Sequence, residues 1–151
     1  MRQRHVLKDD IGFLLSRASG LVISAVHTAL APYNLKVRQY TVLAFACDEP
    51  NGATQRRIAE QMGLDPSQIV SIVDDLENRG LVLRTPDPKD RRNKILVATE
   101  TGKSLCEQAR HACDQASGEC FSDFDQKNID TLRSVLVEFV FPEPIVQSHL
   151  T

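Results

Sequence analysis

The sequence predicts a mainly α-helical fold that carries one small β-hairpin, and three observations support this expectation. Over most of the chain, apolar residues recur at steps of three and four residues, which is the period of an amphipathic helix. Clusters of proline, glycine and asparagine divide these stretches into short units. Two short β-prone segments at 81–85 and 94–98 flank a proline-containing loop at 86–90, and this arrangement indicates a hairpin with a long tip.

Composition restricts the class of protein. Of the 151 residues, 42% are hydrophobic and 25% are charged, which is enough apolar material for a core and too little charge for a disordered chain. No uninterrupted apolar run reaches the roughly 18 residues that a membrane span needs, and the polar segment 1–10 does not resemble a signal peptide. We therefore expect a cytoplasmic protein with no membrane partner, whose four cysteines are free thiols.

The net charge of −2 hides an uneven distribution of charge along the chain. Residues 79–94 carry six cations and two acids, a local charge of +4, whereas residues 100–151 carry four cations and nine acids, a local charge of −5. One short segment is therefore a basic stripe, and a concentrated positive field of this kind favours a nucleic-acid partner.

The N-terminal part is expected to contain two helices. The first spans residues 9–31, begins at an aspartate cap and ends at Pro32. The second runs from about 37 to 47 and stops before the helix-breaking cluster at 49–52.

Two shorter helices follow, and a tight turn joins them. The first spans 55–62 and ends at Gly63, while the second has Asp65 as its cap, Pro66 at its first position and its end near residue 78. Two short helices joined by a glycine-containing turn form a helix-turn-helix. Because the predicted hairpin follows directly, it has the position of a wing.

The C-terminal part returns to helix, from about 101 to 120 and from about 125 to 141. The predicted organisation is therefore a helix within 1–35, a winged helix-turn-helix lobe at 36–99 and further helices within 100–151. The fold class that this order predicts is mainly α with a small β-hairpin wing.

Five segments of the sequence resemble the MarR family of bacterial regulators. They are RIAEQMGL at 57–64, DPSQIV at 65–70, LENRGLV at 76–82, DPKDRRNK at 87–94 and TETG at 99–102. The resemblance covers about residues 9–141, and the aspartate-any-arginine spacing of the wing is a specific part of it. It implies a homodimer in which the segments 1–35 and 100–151 form the dimerisation region. It also implies two lobes that bind DNA and regulate transcription, with the protein acting as a repressor.

The second helix of the motif is expected to enter the major groove with its N-terminus first. Its outward residues there are Ser67, Gln68 and Ser71. Glutamine can bond adenine through two hydrogen bonds, and serine can meet either bases or phosphates. Since no lysine or arginine lies between Asp65 and Asn78, the wing must supply much of the cationic contact.

At the wing, the resemblance assigns Arg92 to the minor groove and gives Asp90 the role of holding the arginine side chain at the required angle. A narrow A·T-rich minor groove attracts an inserted arginine because it concentrates negative potential. The other cations of the wing, Lys89, Arg91 and Lys94, are expected to lie over phosphates.

Two further cations, Arg56 and Arg57, lie on the first helix of the motif. Either could contact phosphate, and Arg57 could instead pack its aliphatic stem on the lobe. A two-fold dimer with two such lobes predicts an inverted-repeat operator in double-stranded DNA, with half-sites about 10 base pairs apart.

Two modes of sensing remain open for such a regulator. One is a small aromatic or apolar effector that binds between the dimer helices and the lobe. The other is oxidation of a thiol, for which the candidates are Cys47, Cys106, Cys113 and Cys120. The best-known peroxide sensors of the family use a cysteine near the start of the first helix. Residues 9–31 contain no cysteine, so that mechanism is not carried over to this chain.

Three of these cysteines belong to a seam of small residues on the fifth predicted helix. The seam follows steps of three and four residues and consists of Cys106, Ala109, Cys113, Ala116 and Cys120. Small side chains let helices approach closely, so this helix is expected to lie tight against another one. Nearby Glu107, Asp114 and Glu119 are expected to raise the thiol pKa values, so the native thiols should react slowly.

Two other classes of function are less favoured. A metal or catalytic site on the fifth helix needs side chains three or four residues apart, but His111 is five residues from Cys106 and two from Cys113. We therefore expect no enzyme activity, no metal and no cofactor. A winged-helix module that binds protein would not need a basic wing tip, so the charge at 89–94 favours DNA as the partner.

Overall fold

The computed structural model describes residues 7–143 and confirms a mainly α-helical fold with a small sheet. The helices are α1 (Ile11–Leu30), α2 (Val37–Asp48), α3 (Gln55–Met62), α4 (Pro66–Asn78), α5 (Glu100–Cys120) and α6 (Gln126–Val140). The strands are β1 (Ala53–Thr54), β2 (Val82–Pro86) and β3 (Lys94–Ala98). The ends of the predicted terminal segments, 1–6 and 144–151, lie outside the described residues.

The three strands form one antiparallel sheet in the order β1-β3-β2. The predicted hairpin is present as β2 and β3, with Pro86 opposite Lys94 next to its tip. On the other edge of β3, Thr54 pairs with Ile95. The strand β1 was not predicted, because Thr54 had been assigned only to a helix cap. The residue has both roles, since its hydroxyl also accepts the N–H of Arg57 at 3.1 Å.

Short polar side chains determine where several helices begin. Asp10 caps α1 by accepting the N–H of Phe13 at 2.9 Å, and Asp125 caps α6 by accepting the N–H of Asn128 at 2.8 Å. The first predicted helix divides into α1 and the 3₁₀ turn Ala31–Tyr33. Proline is tolerated in the first turn of such a unit, because its missing N–H would have no helical partner there.

One apolar core joins the winged lobe to α1 and α5. Its largest fully buried side chains are Leu30, Leu43, Ile58, Ile69, Leu76, Leu96, Val42, Val73, Val82 and Cys106. Each of α1 to α5 and both strands of the hairpin contribute to this set. In contrast, α6 contributes no buried residue. The lobe and the helix that follows it therefore share one core, and α6 lies outside it.

The seam of small residues on α5 is packed along its first half. Cys106, Ala109 and Cys113 are buried, Ala116 is half-buried and Cys120 is exposed. The helix packs against both α1 and α2 of the same chain. The expected close helix contact is therefore present, and the seam reaches the surface at its C-terminal end.

Both α1 and α6 expose apolar faces. Their exposed large apolar side chains are Ile11, Phe13, Leu14, Leu15, Leu21, Ile23, Leu132, Val135, Val137, Phe139 and Val140. Apolar surface concentrated in this way marks a face that another molecule covers.

The segment Ile11–Tyr33 is long and apolar enough to cross a membrane by length and composition. This segment contains no uninterrupted apolar run of that length, because several serines, Arg17 and His27 divide it, and it was therefore not expected from the sequence. Apolar helices of protein cores and interfaces meet the same criterion, so the segment by itself does not indicate a membrane span.

A close approach between α5 and the hairpin depends on Gly102. The hydroxyl of Thr99 accepts the N–H of Gly102 at 3.0 Å, and the N–H of Thr99 donates to the carbonyl of Leu81 at 3.1 Å. A Cβ atom on residue 102 would lie 1.9 Å from that same carbonyl oxygen. Only glycine therefore fits at this position without movement of the backbone.

We expect Gly102→Ala to destabilise the protein by about 1–3 kcal/mol or more, because the added methyl group forces α5 away from Leu81. The matched control is Gly118→Ala in the same helix, where, beyond the adjoining turns of the helix itself, none of residues 7–143 of the same chain has an atom within 4 Å of an added Cβ. That change should leave stability unchanged or raise it by up to about 1 kcal/mol. Urea unfolding at one protein concentration, followed by circular dichroism, measures both; equal unfolding midpoints would contradict the close approach.

Candidate nucleic-acid interface

The N-terminus of α4 is an ordered polar surface. The N–H of Asp65 donates to the side-chain oxygen of Gln68 at 3.2 Å, while the Asp65 carboxylate accepts the N–H of Ser67 at 3.1 Å. These contacts belong to a capping box, which satisfies N–H groups that would otherwise lack partners at a helix start. The structure places Ser67, Gln68 and Ser71 together on the exposed side of this first turn and a half.

The two serine hydroxyls donate hydrogen bonds within α4. Ser67 donates to the carboxylate of Asp65 at 3.1 Å, and Ser71 donates to the backbone carbonyl of Gln68 at 3.3 Å. Each hydroxyl has one proton, so both serines present lone pairs outward, whereas the Gln68 amide still offers a donor. In this arrangement the serines suit donors on base edges better than phosphate oxygens, which need donors from the protein.

Sequence reasoning missed one residue of this surface, Val70. It lies on α4 outside the buried stripe, and 44% of its surface is exposed. An exposed apolar side chain on a helix that enters the major groove can contact a thymine methyl group. The buried stripe of α4 contains Ile69, Ile72 and Val73, and Val70 was not assigned to it. An apolar residue outside the buried stripe of a helix was the sequence signal that could have identified Val70.

The wing tip is a closed turn in which Asp90 holds Arg92. The Asp90 carboxylate accepts the backbone N–H of Arg92 at 3.1 Å and its Nε–H at 3.2 Å. The backbone of Asn93 closes the turn by donating to the carbonyl of Asp90 at 2.9 Å. The Arg92 side chain is nevertheless 91% exposed, so it is open to solvent while Asp90 restrains it.

The remaining cations of the wing surround this tip. Lys89, Arg91 and Lys94 are all exposed. A polar hollow of about 490 Å³ lies between the wing and α3, and Arg56, Arg92 and Lys94 are among the residues that line it. The structure therefore brings the wing cations and one cation of the first motif helix to a common surface.

Both arginines of α3 are paired with carboxylates. Arg56 bonds Glu60 of the same helix at 2.9 Å with 84% of its side chain exposed. Arg57 bonds Glu49, at the end of α2, at 2.9 Å and is itself exposed. Arg57 therefore links α3 to the end of α2, a role that was not considered from sequence, and its contact with phosphate stays a prediction.

Arg84 of β2 connects the elements of the candidate interface, and sequence reasoning counted it only as a charge. Its Nε–H donates to Gln55 of α3 at 2.7 Å, and its guanidinium also bonds Glu77 at 3.3 Å and Asp74, both on α4. The Arg84 backbone N–H donates to Glu77 as well, at 3.2 Å. With a side chain only 17% exposed, Arg84 fixes the hairpin to both motif helices rather than facing solvent.

The candidate thiols lie away from this surface. Cys106 and Cys113 are buried in α5, Cys47 is half-buried at the end of α2, and Cys120 is exposed. The predicted rise in thiol pKa holds for Cys113, where burial and then the charge of Asp114 raise the pKa. The prediction is wrong for Cys106.

The pKa of Cys106 is lowered, first by a hydrogen bond with Cys47 and further by the guanidinium of Arg110. The expectation of a raised pKa rested only on the acids near each cysteine. Arg110 is one helical turn from Cys106 on the same helix, and this cation was the sequence signal for a lowered pKa.

A helix-turn-helix with an exposed polar N-terminus on its second helix, next to a hairpin with a cationic tip, defines a winged helix-turn-helix protein of the DNA-binding class. A family model described as MarR family matches residues 33–93. The chain is also similar to a solved transcriptional regulator (MarR family) from Rhodococcus sp. RHA1, with 49% identity, 92% of this chain and 98% of that chain covered, and a TM-score of 0.88. The chain belongs to the MarR family.

Two further solved structures are similar over most of their length. CouR from Rhodococcus jostii RHA1, bound to p-coumaroyl-CoA, is 49% identical, with 93% of this chain and 99% of that chain covered and a TM-score of 0.87. A transcriptional repressor CouR, bound to a 23-mer DNA duplex, is 30% identical, with 89% and 95% covered and a TM-score of 0.80.

The match to a curated relative covers a smaller part of both proteins. A protein described as a putative transcriptional regulatory protein for the hcr operon of Thauera aromatica is 34% identical over 98 residues. This match covers 65% of the present chain and 56% of that relative, so the chain spans little more than half of it.

We expect Arg84→Met to lower the free energy of unfolding by about 1–3 kcal/mol, because Asp74 and Glu77 then lie close together without their shared cation. The control is Arg56→Met, which removes an ion pair whose arginine is 84% exposed. Its effect should stay within about 0.5 kcal/mol. Chemical unfolding of both variants measures the difference, and equal losses would show that Arg84 is not a structural link.

Proposed function

We propose that this chain is a transcriptional regulator that binds an inverted-repeat operator in double-stranded DNA as a homodimer. One observation carries the proposal: an exposed, carboxylate-held Arg92 lies at the tip of a wing beside the exposed N-terminus of α4. A protein-binding winged helix has no need of an arginine presented in this way. The same proposal assigns no catalytic reaction to the chain and places it in the cytoplasm, where the chromosome is accessible.

In this proposal α4 reads bases and the wing supplies charge. Gln68 bonds adenine, while Ser67 and Ser71 accept hydrogen bonds from base edges through the lone pairs that the capping arrangement leaves free. Arg92 enters the minor groove, where its guanidinium meets the concentrated negative potential of an A·T-rich sequence. Asp90 reduces the rotational freedom that the side chain must lose on binding.

The flanking cations then contact the DNA backbone. Lys89, Arg91 and Lys94 are exposed around the tip and are placed over phosphates. Arg56 borders the same hollow as Arg92 and can exchange its carboxylate partner for a phosphate. Phosphate contacts of this kind set the orientation of the lobe and carry no sequence information.

The dimer follows from the exposed apolar faces of α1 and α6. An apolar groove of about 900 Å³ between α5 and α6 is lined by Phe121, Phe124 and Leu136 among others. A second copy that covers these faces gives the first and last helices, within 1–35 and 100–151, the role of a dimerisation region. The lobe at 36–99 then carries the DNA-binding surface.

We also propose an effector of the aromatic acyl-CoA class. The support is the 49% identity, over nearly the whole length of both chains, with a CouR that was crystallised with p-coumaroyl-CoA. An effector changes DNA affinity only through a difference in its own affinity for the two states of the dimer. In this proposal the protein represses transcription while bound to its operator, and binding of the thioester releases it from the DNA.

We expect Arg92→Ala to weaken binding to a selected operator by about 1–3 kcal/mol per half-site without unfolding the protein. The side chain is exposed in the free protein, so folding loses little when it is removed. The control Lys103→Ala removes one exposed positive charge from α5, outside the proposed interface. Fluorescence anisotropy with labelled operator checks both, and wild-type affinity of Arg92→Ala would overturn the assignment of the wing.

We expect p-coumaroyl-CoA to lower operator affinity by roughly 5–150-fold, which is the usual range of coupling between two sites. Free p-coumarate and free coenzyme A, added separately at the same concentrations, are the controls. The same anisotropy titration measures all three. Equal effects of the thioester and of either half, or no effect of the thioester, would contradict the effector class and leave the DNA-binding proposal intact.

A further inference from the structure

Two thiols meet where the end of α2 packs against α5. Cys47 lies in α2 and Cys106 in α5, 59 positions apart in the sequence, and the side chain of Arg110 joins Cys106 to Asp48, the residue after Cys47. The Nη2 atom of Arg110 lies 3.9 Å from the sulfur of Cys106 and 2.7 Å from the carboxylate of Asp48. A thiol pair, a guanidinium and a carboxylate therefore form one cluster, outside the candidate DNA interface.

We propose that Cys47 and Cys106 are a redox-active dithiol that a peroxide oxidises to an intrachain disulfide between α2 and α5. This modification site goes beyond the proposed function, because it needs neither DNA nor an acyl-CoA thioester. It also differs from a simple packing role for the two side chains. A pair of small apolar groups would fill the same helix contact without a guanidinium directed at one of the sulfurs.

The surroundings of the pair favour a thiolate on Cys106. Thiol donation from Cys47 and the positive charge of Arg110 stabilise the anion, and they lower the pKa of Cys106 below that of an ordinary thiol. The same hydrogen bond, together with burial, raises the pKa of Cys47. Cys106 is thus the nucleophilic thiolate of the pair, while Cys47 remains protonated.

The reaction balances with hydrogen peroxide as the oxidant. The Cys106 thiolate attacks one peroxide oxygen, the O–O bond breaks, and hydroxide leaves and takes up a proton to become water. Cys47, on losing its proton, attacks the sulfur of the resulting sulfenic acid, forms the S–S bond and expels a second hydroxide, which that proton converts to water. The two sulfurs supply two electrons, and one peroxide becomes two waters.

The position of the pair admits a small oxidant and disfavours a large reagent. Cys106 is only 2% exposed, whereas Cys47 and Arg110 are half-buried at the rim of the helix contact. A peroxide is close to water in size, so it can reach a sulfur that a bulky alkylating reagent cannot. The pair therefore combines slow alkylation in the native state with oxidation by peroxide.

The test treats reduced full-length protein with hydrogen peroxide and then blocks the remaining thiols under denaturing conditions. Trypsin separates the cysteines usefully, since Cys47 falls in the peptide 39–56, Cys106 in 104–110, and both Cys113 and Cys120 in 111–127. Mass spectrometry without reduction is expected to find 39–56 joined to 104–110 as the main product. The yield should not depend on protein concentration, because the bond forms within one chain.

The variants Cys47→Ser and Cys106→Ser are expected to abolish this linked peptide, and the matched control Cys120→Ser, at the exposed position, should retain it. Arg110→Gln keeps both thiols but removes the tryptic site after residue 110, so its linked product is 39–56 joined to 104–127. Measured at about pH 5, where the Cys106 thiol is mostly protonated, this variant should form the disulfide about threefold more slowly, because the loss of thiolate outweighs the gain in nucleophilicity when the pKa of Cys106 rises. Circular dichroism verifies that each variant is folded.

Three results would overturn the proposal. The first is a main product that contains peptide 111–127, and the second is a disulfide between subunits on a non-reducing gel. The third is an unchanged rate of disulfide formation in folded Arg110→Gln. Because no step of this test uses DNA, it can fail while operator binding is observed, and the reverse also holds.

Discussion

The junction of β2, β3 and α5 is the contact on which the rest of the structure depends. Thr99 bonds the carbonyls of Gly80 and Leu81 through its hydroxyl, at 2.6 and 3.2 Å, and bonds Leu81 again through its backbone N–H. The same hydroxyl caps α5 at Gly102. The hairpin that carries the cationic tip is therefore connected to α5, the helix that packs on α1 and α2, by a single residue, Thr99, whose hydrogen bonds fix the connection. Any movement of α5 is transmitted to the lobe through a few short hydrogen bonds rather than through a flexible linker.

Local signals in the sequence were sufficient for most of the elements. Asp10, Thr54, Asp65 and Asp125 begin helices, and proline and glycine end them, because capping is an interaction over three residues. Contacts between distant residues were less accessible. The pairing of β1 with β3 brings together segments about 40 residues apart. A strand of two residues is too short for its sequence to indicate which strand it pairs with. The requirement for glycine at 102 likewise exists only once Leu81 is in place.

In the candidate site, too, local features could be predicted from the sequence and contacts between distant residues could not. The wing aspartate and arginine are two residues apart, so their pairing could be anticipated from the family resemblance, and the polar face of α4 follows from helical periodicity. Arg84 joins α3, α4 and β2, and the thiol environment of Cys106 depends on a cysteine of another helix. Both were misjudged because charge and hydrogen bonding were weighed along single elements. Three-dimensional partners decide whether a given arginine faces DNA, and whether a given thiol is acidic.

Several arginines of the candidate interface are paired with carboxylates of the same lobe in the protein without DNA. Arg56 and Arg57 of α3 have such partners, and Arg92 of the wing is held by Asp90. A phosphate must compete with the carboxylates paired to Arg56 and Arg57, and a carboxylate that loses its arginine takes up a cation from solution. The net release of ions per contact is therefore smaller than for a free cation, and the salt dependence of binding is shallower than the number of cations suggests. Sequence-independent binding, which relies on this release, is weakened most. Internal neutralisation therefore keeps the protein from being held on the large excess of non-operator DNA in a genome.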